Sequence, residues 1–105
     1  MTTHLASFNI GQIIHHRNFN YRGVIVDVDP NFQGSDEWYE ENANSHPPKD
    51  APWYHVLVDD ESVVTYVAER NLEEDDEGAP IEHPMVEDVF SGYDAGKYNL
   101  NVTLN

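Results

Sequence analysis

Arg17 and Arg22 bracket Asn18-Phe19-Asn20-Tyr21, which puts two guanidinium groups and two aromatic rings on one short loop. Guanidinium forks hold phosphate through paired N–H donors, Gly23 permits close backbone approach, and Tyr21 offers apolar contact to a base edge. Arg17, Tyr21 and Arg22 are therefore the candidate DNA contacts; the plainer alternative is that Arg22 pairs with a nearby acid such as Asp27. A second group is aromatic: Phe32, Trp38, Tyr39, Trp53, Tyr54 and Tyr66. Flat rings give contact area at small entropic cost, so Trp38, Tyr39, Trp53, Tyr54 and Tyr66 are candidates for a groove that takes a peptide or an unstacked base. The alternative is that the segment bearing Trp38-Tyr39 folds back and plugs a core. Strand alternation puts Trp53 and His55 on one sheet face and Tyr54 on the other, so all three are not expected in a core.

Catalytic and metal-binding patterns are weak. Asp27 and Asp29 share one strand face, and paired carboxylates can do acid–base work. No GxSxG, HExxH or glycine-rich phosphate cradle accompanies them, so Asp29-Pro30 reads as a strand terminator and no catalytic residue is expected. None of the six histidines has an i, i+4 partner, and there is no cysteine, so neither a metal site nor a cofactor is expected. The lack of cysteine also fits a reducing compartment.

The elements that must position these residues are short. Phe8–His16 reads as a first strand entered through a turn at Gly11. Residues 24–29 alternate Val24, Val26 and Val28 with Ile25, Asp27 and Asp29, which is the period of a strand, and Pro30 ends it. A long connection, residues 30–52, contains Ser35 before Asp36 and Glu37, the arrangement of a capped helical turn that carries Trp38 and Tyr39. Trp53–Val58 and Val63–Val67 read as a hairpin around Asp59-Asp60-Glu61-Ser62. A helical or 3₁₀ turn is expected at 68–72. A short docking helix is expected near 84–90, where Val86, Val89 and Phe90 have i, i+3, i+4 spacing. In the tail Tyr98, Leu100, Val102 and Leu104 alternate with polar residues, as in a strand that needs an edge to pair with. The expected organisation is one mostly β domain, residues 1–90, built as a small SH3-like barrel with a long loop between strands 2 and 3 and a short C-terminal helix or turn. Residues 91–105 form a tail suited to adding a strand.

Composition agrees. Leu, Ile, Val and Phe make up 25 of 105 residues, with Val and Ile outnumbering Leu sixteen to five, and β-branched side chains suit strands. No apolar run approaches the ~18 residues that span a bilayer, and MTTHLASFNIGQ lacks the basic and apolar regions of a secretory signal, so no membrane partner is expected. The formal charge is −15. It is unevenly spread: residues 1–26 hold two arginines and no carboxylate, while all 20 acids lie in the remaining 79. Glu73–Glu77 are five adjacent acids, expected as a solvated loop, with a cation site as the alternative. Such acidity opposes phosphate, so DNA binding requires the Arg17–Arg22 loops to face the duplex and the acids to face away. A protein partner is favoured.

The string Ile10-Gly11-Gln12, His16, then RGVIVDVDP at 22–30, Trp38-Tyr39, Ala51 with PWYHVLV at 52–58, Thr65–Glu69, Asn71-Leu72, Gly78, Pro80-Ile81 and His83-Pro84 resembles the HspQ family, also called YccV-like or hemimethylated-DNA-binding proteins. The resemblance runs in order over about residues 8–90. It implies a small β-barrel, a non-enzymatic role, a bacterial cytoplasmic setting and a homo-oligomer. It further implies either an adaptor or specificity role in Lon-type proteolysis under heat stress, with the initiator DnaA among the substrates, or binding of hemimethylated origin DNA.

Overall fold

The computed structural model describes residues 5–43 and 45–100. Seven strands and two short helices follow one another: β1 (Ile13–His16), β2 (Arg22–Asp29), α1 (Asp36–Asn42), β3 (Trp53–Val58), β4 (Val64–Ala68), β5 (Leu72–Glu74), α2 (Val86–Val89), β6 (Phe90–Asp94) and β7 (Lys97–Leu100), with a 3₁₀ turn at Glu69–Asn71 between β4 and β5. The first five strands form one antiparallel sheet in the order β4-β3-β2-β1-β5, and β6 and β7 form a separate hairpin. None of the helices among the described residues is long and apolar enough to cross a membrane.

Ile14, Ile25, Tyr54, Val56, Val67 and Leu72, drawn from all five strands of the larger sheet, meet in one interior. The sheet is therefore rolled, yet among the described residues no hydrogen bonds join β4 to β5. The expected closure into a barrel is not formed. The chain bridges that gap through the 3₁₀ turn.

The outer face is covered as well. At one end Ile13, Val24 and Leu57 pack with Ile81, Phe90 and Tyr98 beneath α2 and the β6–β7 hairpin. At the other end Trp53 and Ala68 pack with Tyr39 and Ala43 of the α1 region. Trp53 and Tyr54 are both core, 1% and 0% exposed, while His55 stays partly exposed, so the three are not all core, as expected. Alternation does send Trp53 and Tyr54 to opposite faces, but both faces are buried there. Alternation also breaks within β2. Its register to β3 slips between Ile25 and Asp27, a bulge at Val26 after which the faces exchange: Val24 and Val26 serve the outer core, while Val28 joins Ile25 at the inner one.

Two local signals hold as read. Ser35 caps α1 by accepting from the Trp38 N–H at 3.1 Å, and Gly11 makes its turn with a φ of 89°. The first strand is shorter than expected, beginning at Ile13 because the Gly11 turn redirects the chain. Gly11 donates to Ile25 O and accepts from Tyr98 N, both at 2.8 Å, which fastens the β6–β7 hairpin to the sheet. Phe90 ends α2 and opens β6. Of the alternating tail, Tyr98 is buried and Leu100 pairs with Phe90; Val102 and Leu104 lie outside the described residues.

A Cβ on Gly11 would sit 2.1 Å from the Tyr98 carbonyl oxygen. Gly11→Ala should lose about 2 kcal/mol or more in urea unfolding, from the left-handed backbone and the clash together. Gly92→Ala, where a Cβ meets nothing within 4 Å, should stay within about 0.5 kcal/mol of the parent.

Candidate functional site

The 30–52 connection is held over β3 and β4 by ring packing and a few hydrogen bonds. Phe32 lies at the centre, its ring 4.8 to 5.9 Å from those of Trp53, Tyr39, Trp38 and Tyr66. The Tyr39 hydroxyl donates to Pro47 O at 2.7 Å, and the Trp53 indole donates to Pro48 O at 3.0 Å. Lys49 Nζ stands 4.3 Å from the Tyr39 ring centre and 3.0 Å from Asp36. Tyr66 donates to Asp29 Oδ2 at 2.7 Å while accepting from Gln33 N. Burial, and then that bond to a carboxylate, push the Tyr66 hydroxyl up to about 12, so it remains a proton donor throughout the neutral range.

Trp38 and Tyr66 form one wall of a groove of about 430 Å³. Its floor is β4. The opposite wall is the 16–21 loop: Thr65 and the Tyr21 hydroxyl share a 2.7 Å hydrogen bond, and the Phe19 ring, 72% exposed, stacks on His16 at 4.7 Å. Asn18, Asn42, Ser45 and Asn71 add neutral polar groups, and none of the sixteen lining residues carries a formal charge with histidine neutral. His16 is 3% exposed. Its Nδ1 accepts from the N–H groups of Asn18 and Phe19 at 3.1 and 3.0 Å, which places the ring proton of the neutral form on Nε2. Burial, and then the nearby His15, hold its pKa below the usual value.

Arg22 lies elsewhere. Its Nε and Nη2 donate to the two Asp75 carboxylate oxygens at 3.0 and 3.1 Å, Nη1 donates to Asp59 at 3.2 Å, and Nη2 also donates to Ala79 O. Glu77 approaches Nε at 3.2 Å. The side chains of Arg22 and Asp75 are only 14% and 5% exposed. The acidic run is thus not merely solvated, as its five like charges suggested, because Asp75 turns inward and Gly78, with a φ of 69°, donates to it at 2.7 Å. Burial alone would raise the Asp75 pKa, but the Arg22 and Gly78 hydrogen bonds outweigh it and hold the carboxyl below its usual 3.8.

The structure therefore separates the three candidate DNA contacts. Arg22 is enclosed by acids, though not by Asp27. Arg17 is half exposed, donates to Leu72 O and lies 3.6 Å from Glu73, and Tyr21 faces the groove. Of the aromatic candidates Trp38, Trp53 and Tyr66 line the groove, Tyr39 is buried behind them, and Tyr54 is inside the roll, donating to Glu69 and accepting from Phe8 N. Its hydroxyl is raised by burial and then by that carboxylate. Residue type and spacing alone do not mark Phe19 and His16 as site residues. The available signal was an aromatic ring set between turn-forming asparagines, where no core position is expected. Asp27, Asp29 and His55 bring one ligand atom each to within 4.8 Å of one another, but Asp29 already accepts from Tyr66 and contacts His55 at 3.1 Å. Those bonds engage Asp29 and His55, and Asp27 accepts from Val28 N at 2.9 Å.

A family model described as YccV-like, hemimethylated DNA-binding protein, matches residues 6–97. The chain belongs to that family.

Removing one partner of a buried ion pair costs about 3 kcal/mol or more, and Arg22→Met should show this in urea unfolding at pH 7. The pH dependence has a definite sign. The parent's Asp75 pKa is lowered by folding, so its contribution is complete above the usual carboxylate value and is lost as pH falls from there through the folded value. In Arg22→Met the unpaired, buried Asp75 is instead raised, so on acidification the gap between the two proteins should start to narrow above pH ~4, as the variant's Asp75 is protonated, and narrow further below it, as the parent's is.

Proposed function

We propose that this member of the YccV-like family is a non-enzymatic, polypeptide-binding factor of the HspQ type. In this reading it acts in the bacterial cytoplasm as an adaptor or specificity factor for Lon-type proteolysis under heat stress, with DnaA among the substrates, and works as a homo-oligomer. One observation carries the reading: a chain with a net charge of −15 keeps an aromatic groove without a single charged lining residue. Exposed rings backed by a packed ring cluster gain apolar contact from an unfolded segment without desolvating a charge. Residues 1–90 serve as the binding domain, and the strand of the 91–105 tail, Lys97–Leu100, is added to Phe90–Asp94 within this chain.

A second reading, hemimethylated DNA binding, is favoured by the family's description. Electrostatics weigh against it as the main activity. With Arg22 committed to three carboxylates, the loop offers a duplex Arg17 alone, and one cation gives a salt slope of only about −0.9. An oligomer that gathers several Arg17 side chains on one side would multiply the contact.

The test is the degradation of DnaA and of an unfolded model protein by the cognate Lon-type protease, with and without this protein. Addition should change the rate. Trp38→Ala, checked for fold by circular dichroism, should weaken the effect about 30-fold in concentration, as expected for a 2 kcal/mol aromatic contact; Arg17→Ala should leave it unchanged. No change in rate on addition would sink the adaptor reading. A hemimethylation-specific duplex complex at about 150 mM salt, lost in Arg17→Ala, would establish the second reading in its place.

A further inference from the structure

The two edges of the five-stranded sheet are treated differently. The β5 edge carries Glu73 and Glu74, and its Leu72 carbonyl accepts from the Arg17 side chain; charge of this kind blunts an edge against pairing. The β4 edge carries no such guard. Val63 and Val64, at its start, are 49% and 46% exposed.

Hydrogen-bond parity fixes which backbone groups of β4 are available. Val58 N donates to Val63 O and Glu69 N donates to Pro52 O, so these two pairs are of the hydrogen-bonded kind. In an antiparallel ladder the two kinds of pair alternate. The register Leu57↔Val64, His55↔Tyr66 and Trp53↔Ala68 therefore turns the N–H and C=O groups of Val64, Tyr66 and Ala68 away from β3. Ala68 is buried against Ala43. Val64 and Tyr66 open into the groove. Because Thr65 contacts Tyr21 and Tyr66 packs on Trp38, and neighbouring residues of a strand point to opposite faces, the two groove walls stand on opposite sides of this edge.

We propose that the free edge of β4 takes an extended segment of another polypeptide as an additional strand. Its backbone bonds Val64 and Tyr66, and its alternate side chains pack on Trp38 and Tyr66 to one side and on Phe19 and Tyr21 to the other. The inference rests on the polypeptide-binding reading and deepens it by naming the mode of recognition. The partner's chemistry follows from the walls and from charge. Apolar or aromatic residues alternate at the centre, and the flanks are neutral or basic, since Asp60 and Glu61 precede β4 and Glu37 and Glu41 lie on α1 in a molecule of net charge −15.

The experiment uses the full chain, with reduced, carboxamidomethylated lysozyme as a basic, permanently unfolded probe. Amide–water exchange at Val64 and Tyr66 and the Trp38 indole signal are followed by NMR. At a probe concentration about ten times the Kd, exchange at those two amides should slow about tenfold, and Trp38→Ala should weaken binding. If the probe shifts the Trp38 signal while the Val64 and Tyr66 amides exchange as before, strand addition is wrong and the groove reading survives. If the probe does not bind, both fall. A single-stranded oligonucleotide that displaces the probe from Trp38 without slowing either amide would assign the groove to bases and overturn the proposal.

Discussion

A single guanidinium organises the acidic half of this molecule. Arg22 enters β2 from the one stretch without carboxylates and meets Asp59 from the β3–β4 turn and Asp75 and Glu77 from the acidic run. An arginine this enclosed is stable only if its donors are matched, and the bidentate Asp75 bond together with the Ala79 carbonyl matches them. The clasp ties three parts of the chain that are distant in sequence to one side of the sheet, where His15, Asn20 and Glu73–Glu77 surround a second, strongly acidic hollow. It also removes from the surface one of only five Lys and Arg side chains.

The consequence for function is a division of the surface. Acids gather around Arg22 and on the outer side of α1, while the groove between α1 and the 16–21 loop presents rings and amides. That groove depends on the 30–52 connection, whose rings interlock through Phe32 and whose Pro47 and Pro48 carbonyls are satisfied by Tyr39 and Trp53. Rings locked from behind lose little freedom when a partner arrives, so contact made there is retained as affinity. The exposed Phe19 completes the groove from the other side of β4.

Local chemistry was legible in the residues. Ser35 before two acids marks a helix start because a hydroxyl and negative charge both suit the first turn, and Gly11 marks a turn because only glycine enters that backbone region cheaply. Val86, Val89 and Phe90 at helical spacing, and the hairpin around Asp59–Ser62, were equally plain. What stayed hidden depended on pairing across long separations. Arg22 finds Asp75 53 residues away, and no local rule chose it over Asp27. The bulge at Val26 is set by the register to β3, so simple alternation gives one face to Val24, Val26 and Val28 while the fold sends Val28 to the other core with Ile25. His16 and Phe19 join the groove only because β4 and the long connection arrive opposite their loop.

The central claim, that the uncharged groove rather than the arginine loop is the working surface, is tested most directly by photo-crosslinking. Two full-length proteins, with p-benzoylphenylalanine in place of Trp38 or of Arg17, would be irradiated in one mixture of an unfolded protease substrate and a hemimethylated duplex. The account predicts an adduct between position 38 and the polypeptide, and no DNA adduct from either position. A duplex adduct from position 17, with position 38 unreacted, would contradict it.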